Sequence, residues 1–244
     1  MKNPFKFYKV GGCVRDKLLN LPIKDIDYAV VYQGTEKMID AIEIYNRLLK
    51  NLETRGYTIF LSVPSCFTVR AKSPKGEVAD FVLARKELFY KPDTREPVSI
   101  PGTIDDDLMR RDFTCNAIAE DEFGIIHDPF NGLEAIKFKR LTTPISAEVS
   151  FDDDPLRIIR AIRFHITKGF TFDSDIYYAI KHFDMSKMKV VSGDRIREEL
   201  QRCFKYDTLA TLYSLHEFEN LENYIFKEAK VNGFNIWLKP TNEL

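Results

Sequence analysis

Short runs of apolar residues, broken by polar pairs and glycines, fill the first half of the chain. Residues 7–10, 26–32 (IDYAVVY), 57–62, 66–71 and 77–84 are rich in β-branched and aromatic side chains, and each predicts a strand. Between them, residues 14–19 read as a helix start after Gly11-Gly12, and residues 36–55 as a long amphipathic helix ending at Gly56. Pro92, Pro97, Pro101 and Gly102 interrupt any regular element, so residues 91–103 predict a loop. A helix is expected from Asp105, capped by Asp106 or Asp107, and Asp128-Pro129 and Asn131-Gly132 mark turns. After about residue 140 the strand signals vanish. Residues 152–164, 173–182, 194–206 and 210–230 all carry helical periodicity, and the closing NGFNIWLKPTNEL is too short to be a domain. An α/β part followed by an all-α part predicts two modules with a boundary near Arg140.

Charge changes this picture only locally. The 244 residues hold 36 Lys plus Arg against 37 Asp plus Glu, a net charge of −1 that excludes a histone-like basic binder and an acidic disordered tail. Residues 157–205, however, hold 11 basic and 6 acidic side chains, a net +5 that marks a local basic surface. Cys13, Cys66, Cys115 and Cys203 lie far apart with no C-x-x-C pair, so zinc and redox sites are disfavoured and buried, reduced thiols are expected. The opening MKNPFKFYKVGGCVRD lacks the apolar stretch of a signal peptide, and no run of about 18 apolar residues occurs. A soluble, cytoplasmic protein with no membrane partner is expected.

Three constellations carry candidate chemistry. In the first, Gly11 and Gly12 sit between a strand and a helix, where bare backbone N–H groups can approach a phosphate and Arg15 can reach the same anion. Asp25 and Asp27 follow at i, i+2, so both side chains fall on one face where an apolar strand enters the core. Two such carboxylates repel unless a cation lies between them, and Mg²⁺, which prefers hard oxygen ligands, is the natural occupant. The plain alternative is a turn residue at Asp25 and a salt-bridge partner at Asp27. Asp80, flanked by apolar residues, either completes a metal cluster or pairs with Arg85 or an edge.

In the second, DDDLMRRDFTCNA at residues 105–117, Asp107 and Arg111 have the spacing of a helical ion pair. Arg110 and Arg111 also put basic groups just after the predicted loop, suited to phosphate. In the third, DDPLRIIRAIRF at residues 153–164, Pro155 fits a first helical turn with Asp153 or Asp154 as cap. Asp154, Arg157, Arg160 and Arg163 form a slanted stripe opposite Ile158, Ile159 and Ile162. Three arginines in line repel, so an anion is expected to relieve them. Arginine and aspartate can also pair with base edges. Together these features describe metal-assisted nucleotidyl transfer.

These segments, with IIHDPFNGLEAI between the second and third, resemble the class II tRNA nucleotidyltransferase/poly(A) polymerase family over residues 8 to about 205. The resemblance implies an α/β (α+β) head of the polymerase β nucleotidyltransferase type with a mixed sheet, residues 1–139. An all-α neck, residues 140–206, and a short helical remnant of the body, residues 207–244, would follow. It implies Mg²⁺ on Asp25 and Asp27; Asp80, from its own apolar setting, stands beside them as a candidate catalytic acid. It implies nucleoside triphosphate contacts at Gly11, Gly12, Arg15 and Arg111. Asp154 and Arg157 match the pair that reads the Watson–Crick edge of the incoming C or A, and Arg160 and Arg163 the arginines that complete that pocket. Residues 91–103 resemble the flexible element that helps switch between C and A. The implied activity is CCA addition to the tRNA 3′ end from CTP and ATP.

Two departures bear on this. Asp153 stands where many bacterial members have Glu, and only about 40 residues follow the neck. The short end leaves room for a homodimer that supplies RNA-gripping surface. The alternatives within the class are a poly(A) polymerase and an enzyme adding only CC or A. Outside it stand a silent RNA-binding or inhibitory module and nucleotide transfer to a protein or small molecule.

Overall fold

Burial separates the two faces of a central sheet. The computed structural model describes residues 3–34, 40–91, 94 and 96–231. The chain divides into two compact units, Met1–Tyr90 with Pro97–Lys137, and Lys91–Glu96 with Phe138–Leu244.

In the first unit β1 (Phe5–Val10) runs into α1 (Gly12–Leu18), and β2 (Ile26–Tyr32) returns antiparallel to β1. After α2 (Ala41–Thr54) come β3 (Thr58–Val63), β4 (Thr68–Lys72) and β5 (Val78–Leu83). β5 lies parallel to β2, so the sheet is mixed, as expected. With the two-residue strands β8 (Ala119–Glu120) and β9 (Ile126–His127), the order is β3-β4-β5-β2-β1-β8-β9. Strand alternation sends Phe5, Val30, Phe81 and Leu83 into one core, under Ile44, Tyr45, Leu48 and Leu52 of α2. It sends Val10 and Ala29 into a second core with Leu108, Ala117 and Ala119. α2 starts at its cap Asp40, so the part of the predicted helix over residues 36–39 lies outside the described residues.

The predicted loop over 91–103 is partly a strand. β6 (Arg85–Tyr90) pairs antiparallel with β7 (Pro97–Pro101), with Pro101 opposite Arg85 and Pro97 opposite Tyr90. Proline lacks a donor but is tolerated in a two-stranded ribbon, where each strand is an edge. Residues 92, 93 and 95 lie outside the described residues. α3 (Ile104–Met109) is capped by Thr103, not by Asp106 or Asp107. Asp106 is instead the reciprocal member of a capping box: its carboxylate accepts from the Thr103 N–H at 2.9 Å.

The second unit is helical apart from a two-residue parallel pair, β10 (Arg140–Leu141) with β11 (Thr171–Phe172). It follows α4 (Gly132–Phe138). The predicted helix over 152–164 is two helices, α5 (Ala147–Asp153) and α6 (Leu156–Lys168). Asp154 is extended at φ −146 and ψ 94, because the residue before a proline is pushed out of the helical region. α7 (Ser174–His182) and α8 (Gly193–Tyr206) fall close to the predicted bounds. The predicted helix over 210–230 divides into α9 (Thr208–His216) and α10 (Glu219–Val231). The break seats Phe218 in the core against Phe172 and Tyr177, and Asn220 donates to the Ile180 carbonyl at 2.8 Å. The segment 232–244 lies outside the described residues.

Three of the four cysteines are buried as expected; Cys66, on a 3-10 turn at Pro64–Cys66, is exposed. Burial pushes the Cys203 thiol up to about 12, which keeps it protonated and inert. Among the described residues no helix is long and apolar enough to cross a membrane.

Candidate active site

Register places a row of side chains across the first unit's sheet. Arg70 on β4 is the cross-strand partner of Asp80 on β5, Asp80 of Asp27 on β2, and Asp27 of Val10 on β1. Asp25 precedes β2 and is 74% exposed. Arg70 spans the outer carboxylates, with Nε 3.3 Å from Asp80 Oδ1 and Nη2 3.9 Å from Asp25 Oδ1. Asp80 therefore pairs with Arg70 and not with Arg85, whose guanidinium goes to Glu87 at 3.1 Å. Burial raises the Asp27 carboxyl above its ordinary value; Arg111 opposes this, while Asp80 and Asp25 add to it. Asp80 is also raised, by burial first, with Arg70 pulling it down and Asp25 pushing it up.

Above this row sits the turn into α1. Gly11 has φ 73 and ψ −135, and an added Cβ would stand 2.9 Å from Arg111 Nη1 and 3.8 Å from Asp27 Oδ2. The turn therefore brings bare backbone against both an arginine and a carboxylate. Arg111 is held by Asp107, its Nη2 donating to Oδ2 at 2.9 Å, while its buried Nε has no hydrogen-bond partner among the described residues. That orphan donor next to acids fits a site that receives an anion. Arg15, expected to reach the same anion, is largely buried and donates to Asn116 Oδ1 at 2.6 Å and Asp16 Oδ1 at 2.9 Å.

Among the described residues no three His, Cys, Asp or Glu side chains are drawn close enough to enclose a metal ion. Asp25, Asp27 and Asp80 nonetheless suit a hard divalent cation. Asp27 and Asp80 are oxygen donors on neighbouring strands, Asp25 immediately precedes one of them, and the repulsion among the three adds to the burial that raises Asp27 and Asp80. Mg²⁺ commonly takes only one or two carboxylates and keeps its other positions for water and phosphate oxygens.

In the second unit Asp154 accepts from the Leu156 N–H at 3.0 Å and so caps the start of α6. The arginine stripe is not a solvated face. Arg157 is 7% exposed and donates from Nη1 to Ser150 Oγ at 2.7 Å. Arg160 reaches Glu199 Oε1 at 3.2 Å, and Arg163 Nε donates to Oε2 of the same residue. The expected relieving anion is thus supplied by the chain itself, from α8. Glu199 was not singled out by the sequence because its segment, REELQR, reads as an ordinary charged helix face. Arg70, Asn116 and Ser150 were missed as well.

Residues 7–142 match the family described as the Poly A polymerase head domain. The chain belongs to this family. Among relatives of this head-domain family, the chain is 33% identical to the CCA-adding enzyme of Geobacillus stearothermophilus, over 80% of this chain and 44% of that protein. It is 33% identical to that of Listeria monocytogenes, over 91% and 52%. The chain spans about half the length of the curated relatives it matches. Among solved structures it is similar to the Bacillus stearothermophilus CCA-adding enzyme in complex with CTP, with a TM-score of 0.72 and 28% identity over 98% of this chain and 56% of that one. It is also similar to the Thermotoga maritima CCA-adding enzyme complexed with tRNA, with a TM-score of 0.69 and 25% identity over 92% and 49%.

Proposed function

We propose that this chain is an RNA 3′-end nucleotidyltransferase that adds CCA to tRNA from CTP and ATP. The observation that carries the reading is the row Asp80–Asp27, with Asp25 beside it and Arg111 held over Gly11, in a head-domain family member similar to CTP- and tRNA-bound CCA-adding enzymes. The acceptor's 3′-hydroxyl attacks the α-phosphate and pyrophosphate leaves. Asp25 and Asp27 would hold Mg²⁺, with Asp80 beside them. When bound, the ion supplies charge stabilisation at the phosphoryl oxygens and lowers the pKa of the attacking hydroxyl. Gly11 and Gly12 let the backbone approach the triphosphate, and Arg111, with its unpaired Nε, binds the anion. Arg15 steadies this turn through Asn116.

In this reading residues 1–139 act as the catalytic head, 140–206 as the nucleotide-selecting neck, and 207–244 as part of a body. Asp154 and Arg157 read the base edge, the acid accepting from an amino group and the guanidinium donating a pair of bonds. Arg160 and Arg163, stiffened by Glu199, complete the pocket. The test is incorporation of labelled CTP and ATP, with Mg²⁺, into a tRNA transcript ending at its discriminator base, resolved to single nucleotides. Addition of C, C and A that then stops is expected. The description of the matched family as a poly(A) polymerase head supports a second reading, poly(A) addition. A long A ladder in the same assay would establish it.

A further inference from the structure

The described residues hold one cation that competes directly with a divalent ion for the proposed site's carboxylates. Arg70 stands at the end of the cross-strand row, 3.3 Å from Asp80 and 3.9 Å from Asp25. Its side chain is 40% exposed and that of Asp25 is 74% exposed. An ion pair that open is weak, since solvent screens it and long side chains lose entropy in holding it. It is therefore easily exchanged. Arg111 differs, because it is anchored by the fully buried Asp107 and approaches Asp27 from above Gly11.

We infer that Arg70 is a built-in counter-ion of the Asp25–Asp27–Asp80 site, a positioning residue that lowers its divalent-metal affinity and must give up Asp25 when the ion binds. The inference rests on the metal reading of those carboxylates given above. Its physical basis is direct. A guanidinium on Asp25 and Asp80 occupies lone pairs that a metal would use, and its charge repels a dication at the same place.

The test is Mn²⁺ binding to the full chain without nucleotide or RNA, followed by electron paramagnetic resonance, for wild type, Arg70→Gln, Arg70→Lys and Asp27→Asn. Arg70→Gln is expected to bind Mn²⁺ roughly two- to fivefold more tightly than wild type, the range set by the strength of exposed ion pairs. Arg70→Lys, which restores the charge, is expected to return toward wild type, and Asp27→Asn to lose binding. A purely structural Arg70 would do the opposite: its loss would misplace Asp80 and weaken binding. Equal or weaker binding by Arg70→Gln, with wild-type binding intact and lost in Asp27→Asn, overturns the Arg70 inference and leaves the metal reading standing. Wild-type binding that survives in Asp27→Asn, or no binding in any variant, overturns the metal reading and the inference with it. Thermal unfolding of each variant without metal checks that the fold is kept. If Arg70→Gln does not fold, Arg70→Met decides, because it keeps an unbranched side chain of similar length without the charge. Tighter binding than wild type then supports the inference, and equal or weaker binding overturns it.

Discussion

Arg111 donates its Nη2 to Asp107 Oδ2 at 2.9 Å, and Asp107 is completely buried. Its other oxygen, Oδ1, accepts from Arg110 at 2.6 Å. Burial disfavours the Asp107 charge, but the two guanidiniums outweigh it and hold the carboxyl below its ordinary value. Removing that charge strands two arginines. Asp107→Ala is expected to cost about 3–5 kcal/mol of unfolding free energy, the range for breaking a buried ion pair from one side. Urea unfolding measures it. The sign of the pH effect follows from the depressed carboxyl. Its contribution is fully present above the unfolded-state value of about 3.9 and is lost as pH falls through the lower folded value. Wild type should therefore lose stability in acid below about pH 4 more steeply than Asp107→Ala does. Parallel curves for the two proteins would show that Asp107 is not the titrating group.

Gly11 makes a separable prediction, because a comparison glycine exists in the same chain. Both Gly11 and Gly169 have positive φ, 73° and 70°. A Cβ at Gly169 would meet nothing within 4 Å, whereas one at Gly11 would meet Arg111 Nη1 at 2.9 Å. Gly169→Ala should cost only the left-handed strain, about 1 kcal/mol, and leave nucleotide binding unchanged. Gly11, at ψ −135 against 30 for Gly169, holds a conformation essentially confined to glycine, so Gly11→Ala should carry a larger strain and also push Arg111 aside, weakening CTP and ATP binding by at least about tenfold, roughly 1.4 kcal/mol. Equilibrium nucleotide binding and urea melts of the two variants give both readings.

How far the sequence reaches can be judged from these same residues. The strands around Asp27 and Asp80 were legible because alternation and β-branched runs mark buried strands directly. The Asp107–Arg111 pair was legible because it is local, four residues apart on one helix. The start of α6 at Asp154-Pro155 was legible from the proline and its acidic neighbour, whereas the separate helix α5 before it was not, because no helical pattern was read over residues 147–151. Contacts between distant segments were not legible at all. Nothing in a lone chain aligns Arg70 with Asp80, Arg15 with Asn116 or Arg163 with Glu199, since those meetings depend on strand register and helix packing. The site's carboxylates were thus readable, while the arginines and acids that tune them were not.

Glu199 supports a prediction in the second unit. It is 6% exposed and takes both Arg160 and Arg163. Glu199→Ala is expected to destabilise the fold by about 3–5 kcal/mol, as for other buried pairs broken from one side. Glu199→Gln keeps the shape and one acceptor, so it should cost less, about 1–3 kcal/mol. In Glu199→Gln the two guanidiniums lose their internal counter-charge. Binding of CTP and ATP should then tighten or hold while turnover falls, because the arginines are less fixed. Unchanged binding together with unchanged turnover would instead mean that Arg160 and Arg163 serve packing alone.

The base-reading role of Arg157 can be tested through the residue that holds it. Ser150, fully buried on α5, accepts from Arg157 Nη1 at 2.7 Å, and Asp154 caps the same helix that carries Arg157. The guanidinium plane is therefore set from behind by a hydroxyl that itself makes no claim on a base. Ser150→Ala removes that acceptor with little change in volume, at a cost to folding of about 1 kcal/mol. If the plane must be fixed to form a pair of bonds with C or A, Ser150→Ala should lower the discrimination of CTP over UTP and of ATP over GTP several-fold in single-nucleotide incorporation. The affinity for the triphosphate should change much less. Arg157→Lys should lose discrimination further, because an ammonium cannot present two parallel donors. Both variants leave the proposed head residues untouched, so pyrophosphate release should remain Mg²⁺-dependent in each. Discrimination equal to wild type in Arg157→Lys would assign Arg157 to the core of the second unit and move base selection elsewhere.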